Sequence, residues 1–338
     1  MLTFYVITSI TSGPIIYNFQ VATLMLLFYV TFNDRKSKLS NKKSTMISII
    51  IVNYKNNERT IKYVKEELIK VQTEHRIIVV NNEATPSSNQ ELAKDLNAIV
   101  LNLDDINVKD SKHYVISNPE NSGFAKGNNI GARFALKILK SEYLLFSNND
   151  IKFLDADVVE KLVNKFKQLP KAGIIGPKVM GLDGKLQSPE PYVSFWDRNV
   201  WMYLSTPFYS KEKKIERFCL DYSQNAQEGF HYKLMGSFFM VRSSDFLKCG
   251  MFDEHTFLYA EEPILTERMR RIGLKPYFYP QVAVLHDHGA TTKKHFGSGK
   301  LGLIKFESEC YYYHHYCHTP NWQIWIAKIV RNLLKIMQ

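Results

Sequence analysis

Five short runs of branched and aromatic apolar residues constrain this 338-residue chain more than any other feature: ISIIIV (47–52), RIIVV (76–80), NAIVL (97–101), HYVI (113–116) and EYLLF (142–146). Runs of that length that are almost wholly apolar, rather than apolar at alternate positions, describe strands covered on both faces. Between the first two, Ile61, Val64, Leu68 and Val71 recur at helical spacing, and between the last two Ile130, Phe134 and Ile138 do so at steps of four. The alternation predicts an α/β fold, a mostly parallel central sheet with helices on both faces. A ligand of such a sheet sits beyond the carboxyl ends of its strands.

Polar clusters fall at those ends. NYKNNE follows the first run, NNEAT the second, NPENSGFAKGNNIG (118–131) the fourth and SNND the fifth. Asn and Gly are turn formers, so each cluster alone describes an ordinary turn. Repeated at four strand ends, they outline the rim of a binding site. Gly123, Gly127 and Gly131 run into a helix start and would let backbone N–H groups approach a phosphate or a sugar closely. They spell neither a dinucleotide fingerprint nor a phosphate loop. Within LLFSNNDIKF (144–153), a strand ends on Asp150, preceded by Asn148 and Asn149.

The chain changes character at both ends. Residues 2–32 contain no Asp, Glu, Lys or Arg, and IIYNFQVATLMLLFYVTF (15–32) is close to the length that crosses a bilayer core of roughly 30 Å. Asn18 and Gln20 make it a marginal span. Arg35, Lys36, Lys38, Lys42 and Lys43 follow and would keep the folded body on the cytoplasmic side. The alternative is an apolar extension packed on the protein itself. Four scattered cysteines do not form a disulfide framework and suit a reducing compartment. Beyond Gly297, aromatic, histidine and basic residues mix, and Trp322, Trp325, Ile326, Ile329, Leu333 and Ile336 suggest one apolar helix face. Such a helix lies on a membrane or packs on the body. The expected organisation is 1–45 as apolar segment and basic linker, 46–296 as the main α/β domain and 297–338 as a helical extension. A net charge of +11 points to anionic company. Much of the excess lies in the two terminal regions, which argues against nucleic acid.

Residues from about 46 to 290 resemble the family 2 inverting glycosyltransferases of GT-A fold, especially the bacterial rhamnosyl- and galactofuranosyltransferase-like branch. The likeness is carried by SIIIVNYKNNE, IIVVNN, NPENSGFAKGNNIG, YLLFSNND, GIIGPKVMGLDGKLQSPEP, MGSFFMVRSSDFLKCGMFDEHTFLYAEEPILTERMRRIG and VAVLHDHG. It implies transfer of a sugar from a nucleotide diphosphate, a UDP- or dTDP-sugar, to a hydroxyl of a glycan or lipid-linked acceptor. It also implies that Asp150 binds a divalent metal, Mn²⁺ or Mg²⁺, bridging the donor's diphosphate, with His286 as second ligand and His288 as a lesser candidate. Imidazole beside a carboxylate tilts the choice toward Mn²⁺. The family's acidic pair maps onto Glu261 and Glu262, and its second member is the base that takes the acceptor's proton. Relatives usually carry Asp there, so Glu262 is one methylene longer. Asn53 and Asn81 fall in the nucleoside loops, Asn81 where many relatives have Asp. Asn121, Gly123, Lys126, Asn128 and Asn148 are expected around the donor.

Two other classes stay open. A sugar nucleotidyltransferase would place a Gly-rich basic loop directly after the first strand, where NYKNNE stands. A catalytically silent nucleotide-binding or scaffold homologue is compatible with Asn81, Asn148 and Glu262, each of which softens a family carboxylate.

Overall fold

A computed structural model describes residues 45–205, 207–287 and 298–336. The apolar segment 15–32, the basic linker and His288 lie outside the described residues.

The first half alternates as the sequence predicts. Strand β1 (Ile47–Tyr54) leads to α1 (Asn57–Glu66), β2 (His75–Asn82) to α2 (Pro86–Leu96), and the short β3 (Ile99–Leu101) to β4 (His113–Asn118). Helix α3 (Gly123–Phe134) then precedes β5 (Tyr143–Ser147). After β5 come β6 (Ile151–Phe153), α4 (Val158–Gln168), β7 (Ala172–Gly181), β8 (Gly229–Phe230), β9 (Phe238–Arg242), α5 (Glu261–Arg271) and β10 (Lys275–His286). Two long helices close the described chain, α6 (Ser298–Cys317) and α7 (Asn321–Ile336).

All ten strands form one sheet in the order β3-β4-β2-β1-β5-β9-β7-β10-β6, with β8 paired to β10. Strands β1 to β5 pair in parallel, as do β7 and β10, while β6, β8 and β9 run the other way. The sequence reading anticipated the parallel half. The antiparallel β9, wedged between β5 and β7, joins it to a second half that the periodicity did not show.

Alternation along β1 sorts the core into two layers. Ile47, Ile49 and Ile51 pack with Tyr63 and Val64 of α1 and Leu162 and Phe166 of α4 on one face. Ile50 packs with Ala125 and Ala132 of α3 and Leu265 and Met269 of α5 on the other. Gly127 and Gly131 serve this packing and not a ligand. A Cβ on Gly131 would lie 2.7 Å from Ile50 Cγ2, and one on Gly127 3.2 Å from Val52. Their role is to bring α3 down onto β1. Of the three glycines only Gly123 reaches the cavity described below, and its φ of +73° suits a residue without Cβ.

From Thr45 onward the chain is one compact unit that includes α6 and α7. Those helices are held by a third apolar cluster in which Phe306, Tyr312, Tyr313, Ala327 and Val330 meet Phe195, Val200, Ala260 and Ile264. Of the apolar face expected on the last helix, Ile326 turns toward this cluster, while Trp322, Trp325, Ile329 and Leu333 stay exposed. Among the described residues no helix is long and apolar enough to cross a membrane.

Candidate active site

The ladder between β6 and β10 creates the centre of the site. Strand β5 is buried throughout and ends at Ser147, whose hydroxyl lies 2.5 Å from Tyr63 OH. The chain leaves the sheet at Asn148, whose N–H donates to Ser237 O at 2.8 Å, turns through Asn149 and Asp150, and returns as β6 antiparallel to β10. Ile151 thereby pairs with His286, and the Asp287 N–H donates to Asp150 O at 3.1 Å. Backbone pairing alone sets the Asp150 and His286 side chains next to each other, with Oδ1 3.4 Å from Nε2.

The hydrogen bonds around this pair fit a cation. Gln187 Oε1 is an acceptor 2.7 Å from His286 Nδ1, so Nδ1 carries the proton and Nε2 presents its lone pair. The Asn148 amide reaches Nε2 only at 3.5 Å. Asp150 Oδ1 is buried with no hydrogen-bond partner among the described residues. A buried carboxylate oxygen with no hydrogen-bond partner among the described residues, set beside an imidazole nitrogen, suits a bound cation. No group of three or more His, Cys, Asp and Glu converges among the described residues. Among the described residues Asp150 and His286 are the two candidate ligands, a number that suits ions sharing their shell with substrate phosphates and water.

Asp150, His286 and the acidic pair border one cavity of about 320 Å³, within the range of small-molecule sites. Asn121, Gly123 and Asn148 border it too, as do Tyr54, Asn82 and Asn149, which sequence reasoning had not singled out. Four expected residues are elsewhere. Asn53 and Asn81 are buried behind the strand ends, the Asn53 amide donating to Asn81 Oδ1 at 2.8 Å and that of Asn81 to Ser88 and Asn89. Asn128 bonds back to Phe124 O in its own helix at 3.0 Å, and Lys126 is exposed. Asn82, the next residue along β2, borders the cavity. Its amide donates to Gly123 O at 3.2 Å and its Oδ1 accepts from Asn118 at 2.8 Å, which ties the ends of β2 and β4 to the start of α3.

The acidic pair opens α5 after two left-handed residues, Tyr259 (φ 72°) and Ala260 (φ 67°). Non-glycine residues held there store strain, which often marks a working loop. Glu262 Oε1 accepts the Gly236 N–H at 3.1 Å, and a Cβ on Gly236 would lie only 2.7 Å from that oxygen. Glu261 is buried, and its Oε1 has no partner among the described residues. Burial, and then the neighbouring Glu262 carboxylate, push Glu261 up to about 8 from the ordinary 4.5. Near neutral pH burial therefore favours the protonated form of Glu261.

Stability follows the same proton. The folded chain holds it between 4.5 and about 8 while the unfolded chain releases it, so the Glu261 contribution is complete at low pH and drains away as pH rises through that window. Glu261→Gln should melt above the parent protein at about pH 8 and lose the advantage near pH 4, as read by calorimetry across that range.

Residues 48–242 match the model of the family described as Glycosyl transferase family 2, more than half of the chain, and the chain belongs to that family. It is 28% identical over 240 residues to the low-salt glycan biosynthesis hexosyltransferase Agl10 of Haloferax volcanii, covering 70% of this chain and 66% of that protein. It is 27% identical over 164 residues to the N-acetylglucosaminyl-diphospho-decaprenol L-rhamnosyltransferase of Mycobacterium tuberculosis, covering 45% and 48% respectively. In both cases the match spans less than two thirds of the relative. A crystal structure of GalNAc-T7 with UDP, GalNAc and Mn²⁺ aligns over 73% of this chain and 45% of that one, at 14% identity and a TM-score of 0.47.

Proposed function

We propose that this chain is an inverting, metal-dependent glycosyltransferase that moves a sugar from a UDP- or dTDP-sugar to a hydroxyl of a lipid-linked or polysaccharide acceptor in surface glycan assembly. The observation that carries this is the convergence of Asp150, His286 and Glu262 on one cavity at the strand ends. Asp150 and His286 would hold Mn²⁺ or Mg²⁺. When bound, that ion neutralises the charge that develops on the leaving diphosphate.

The chain's own residues do the rest. Gln187 fixes the imidazole tautomer by accepting from Nδ1 at 2.7 Å. The amides of Asn82, Asn121, Asn148 and Asn149 offer donors and acceptors to ribose and sugar hydroxyls, and the Phe124 and Phe257 side of the cavity excludes water. Asn53 and Asn81 brace the nucleoside end from behind. Glu262 takes the proton of the attacking hydroxyl, and its anchor on the Gly236 N–H sets where that proton is collected.

The acceptor class draws on the relatives, whose printed names give glycan biosynthesis and a decaprenol-linked diphosphosaccharide. A membrane-facing site on the cytoplasmic side suits such an acceptor. The surface of α7 supports it, because Trp322, Trp325, Ile329 and Leu333 are 57%, 63%, 38% and 55% exposed. At 3.6 residues per turn they share an arc of about 80°. Tryptophan is favoured where one side of a helix meets lipid headgroups. Replacing Trp322 and Trp325 together by Ala is expected to weaken sedimentation with anionic vesicles roughly tenfold or more, and to leave turnover of a soluble acceptor intact.

Calorimetric titration of UDP and dTDP with Mn²⁺ and with EDTA tests the central reading, followed by a screen of nucleotide sugars for hydrolysis and transfer. Metal-dependent binding and turnover of one donor are expected. Absence of nucleotide binding in both conditions would overturn it.

A further inference from the structure

A second cavity, of about 750 Å³, lies between the segment after β7 and the two C-terminal helices. Gln187 connects it to the first, since this residue borders the second cavity while its Oε1 holds His286. Helix α6 borders both as well, with Leu301 on the first and Lys305 on the second, about one turn or ~6 Å apart along the axis.

Its polar lining is unbalanced. Asn199 is 7% exposed, and its amide nitrogen has no hydrogen-bond partner among the described residues. The same holds for Nε of Arg331, whose guanidinium sits over the Phe306 ring at 4.8 Å. The carboxylates of the cavity are already engaged, Glu309 by Arg198 at 3.1 Å and Glu190 by Lys233 at 2.8 Å. Neither Lys305 nor Arg331 forms an ion pair among the described residues. Lys305, Arg331 and Asn199 thus border a space roomy enough for a ligand, and the two unused N–H donors lie in its wall, where a turn of either side chain would bring them to the cavity. A phosphate or diphosphate ester satisfies all of them, since it brings acceptor oxygens and compensating charge.

We propose that this cavity binds the phosphate-bearing end of the acceptor through Lys305, Arg331 and the Asn199 amide, so that the acceptor's sugar reaches past Gln187 toward Glu262. The assignment deepens the transferase reading and rests on it for the identity of the ligand as acceptor. Charge-assisted hydrogen bonds of this kind weaken binding about tenfold or more when one is removed.

The test is equilibrium dialysis of labelled geranyl diphosphate against the full-length protein in EDTA, where a metal-dependent donor site is silent. Saturable binding of one equivalent is expected. Lys305→Gln, Arg331→Gln and Asn199→Leu should each weaken it about tenfold or more, with melting curves confirming the fold, and Asp150→Asn should leave it unchanged. Inorganic pyrophosphate and glucose 1-phosphate run alongside. Stronger binding of geranyl diphosphate identifies a lipid phosphate, equal binding identifies a soluble phosphate ester, and both sustain the site. The proposal is overturned if no probe binds, or if binding responds to Asp150→Asn and to none of the three cavity variants. Loss of UDP binding with retained probe binding would instead remove the donor reading and leave the phosphate site standing.

Discussion

Asp150→Asn is expected to lose donor turnover by about 10³-fold, the scale of the several kcal/mol that a cation contributes to a phosphoryl leaving group. The substitution keeps the shape of the side chain and removes its charge, so the β6–β10 ladder, which is held by backbone bonds, should survive. Titration with Mn²⁺ in the presence of UDP should show the metal-dependent component of binding gone. Thermal denaturation supplies the discriminating control. In the parent protein without metal, Asp150 Oδ1 is a buried oxygen lacking a hydrogen-bond partner among the described residues and lies 3.4 Å from His286 Nε2. Removing that charge should leave the metal-free melting temperature unchanged or higher, while Mn²⁺ should no longer raise it. His286→Ala should repeat the loss of metal response. If Asp150→Asn turns over donor at the parental rate, the carboxylate only ends a turn.

The parallel half of the fold was legible because strands buried on both faces need apolar side chains at successive positions, and the central residues of β1, β2 and β5 supply them. The second half was not. Strands β6 and β9 are short, and the residues that pair with them come from distant parts of the chain. The meeting of Asp150 with His286 was accessible only through the family resemblance, because it is produced by a long-range ladder that local periodicity cannot encode. Gln187 was missed for a related reason. A glutamine in a polar turn carries no chemical signal until the fold brings its Oε1 to His286 Nδ1. The choice between Asn81 and Asn82 depends on strand parity. Consecutive side chains point to opposite faces, so a shift of one residue exchanges a brace behind the sheet for a side chain on the cavity. The glycine run shows the same limit. Spacing of four suggested an approach to ligand, whereas Gly127 and Gly131 meet the side chains of β1.

Glu262→Gln separates binding from chemistry. The amide is nearly the same size and can still accept the Gly236 N–H through its carbonyl oxygen, so cavity shape and nucleotide affinity should hold within about twofold. It cannot take a proton, and general-base assistance is worth about 10²–10⁴-fold, so transfer should fall by that amount at unchanged donor KM. Gly236→Ala approaches the same carboxylate from the other side. Its Cβ would lie 2.7 Å from Glu262 Oε1, 3.0 Å from Cγ and 3.1 Å from Cδ, all atoms of one side chain, so Oε1 should be displaced and transfer should fall. Loss of transfer in both variants, with UDP binding retained, would tie catalysis to the basicity and to the position of the Glu262 carboxylate. Glu261 sharpens the contrast. Burial keeps it protonated near neutral pH, so Glu261→Gln should preserve transfer there, and an equal loss in the Glu261 and Glu262 variants would assign the proton transfer to the pair as a unit. A parent protein that binds UDP yet turns over no donor would instead be the catalytically silent member of its family that Glu262, standing where relatives carry Asp, had left open.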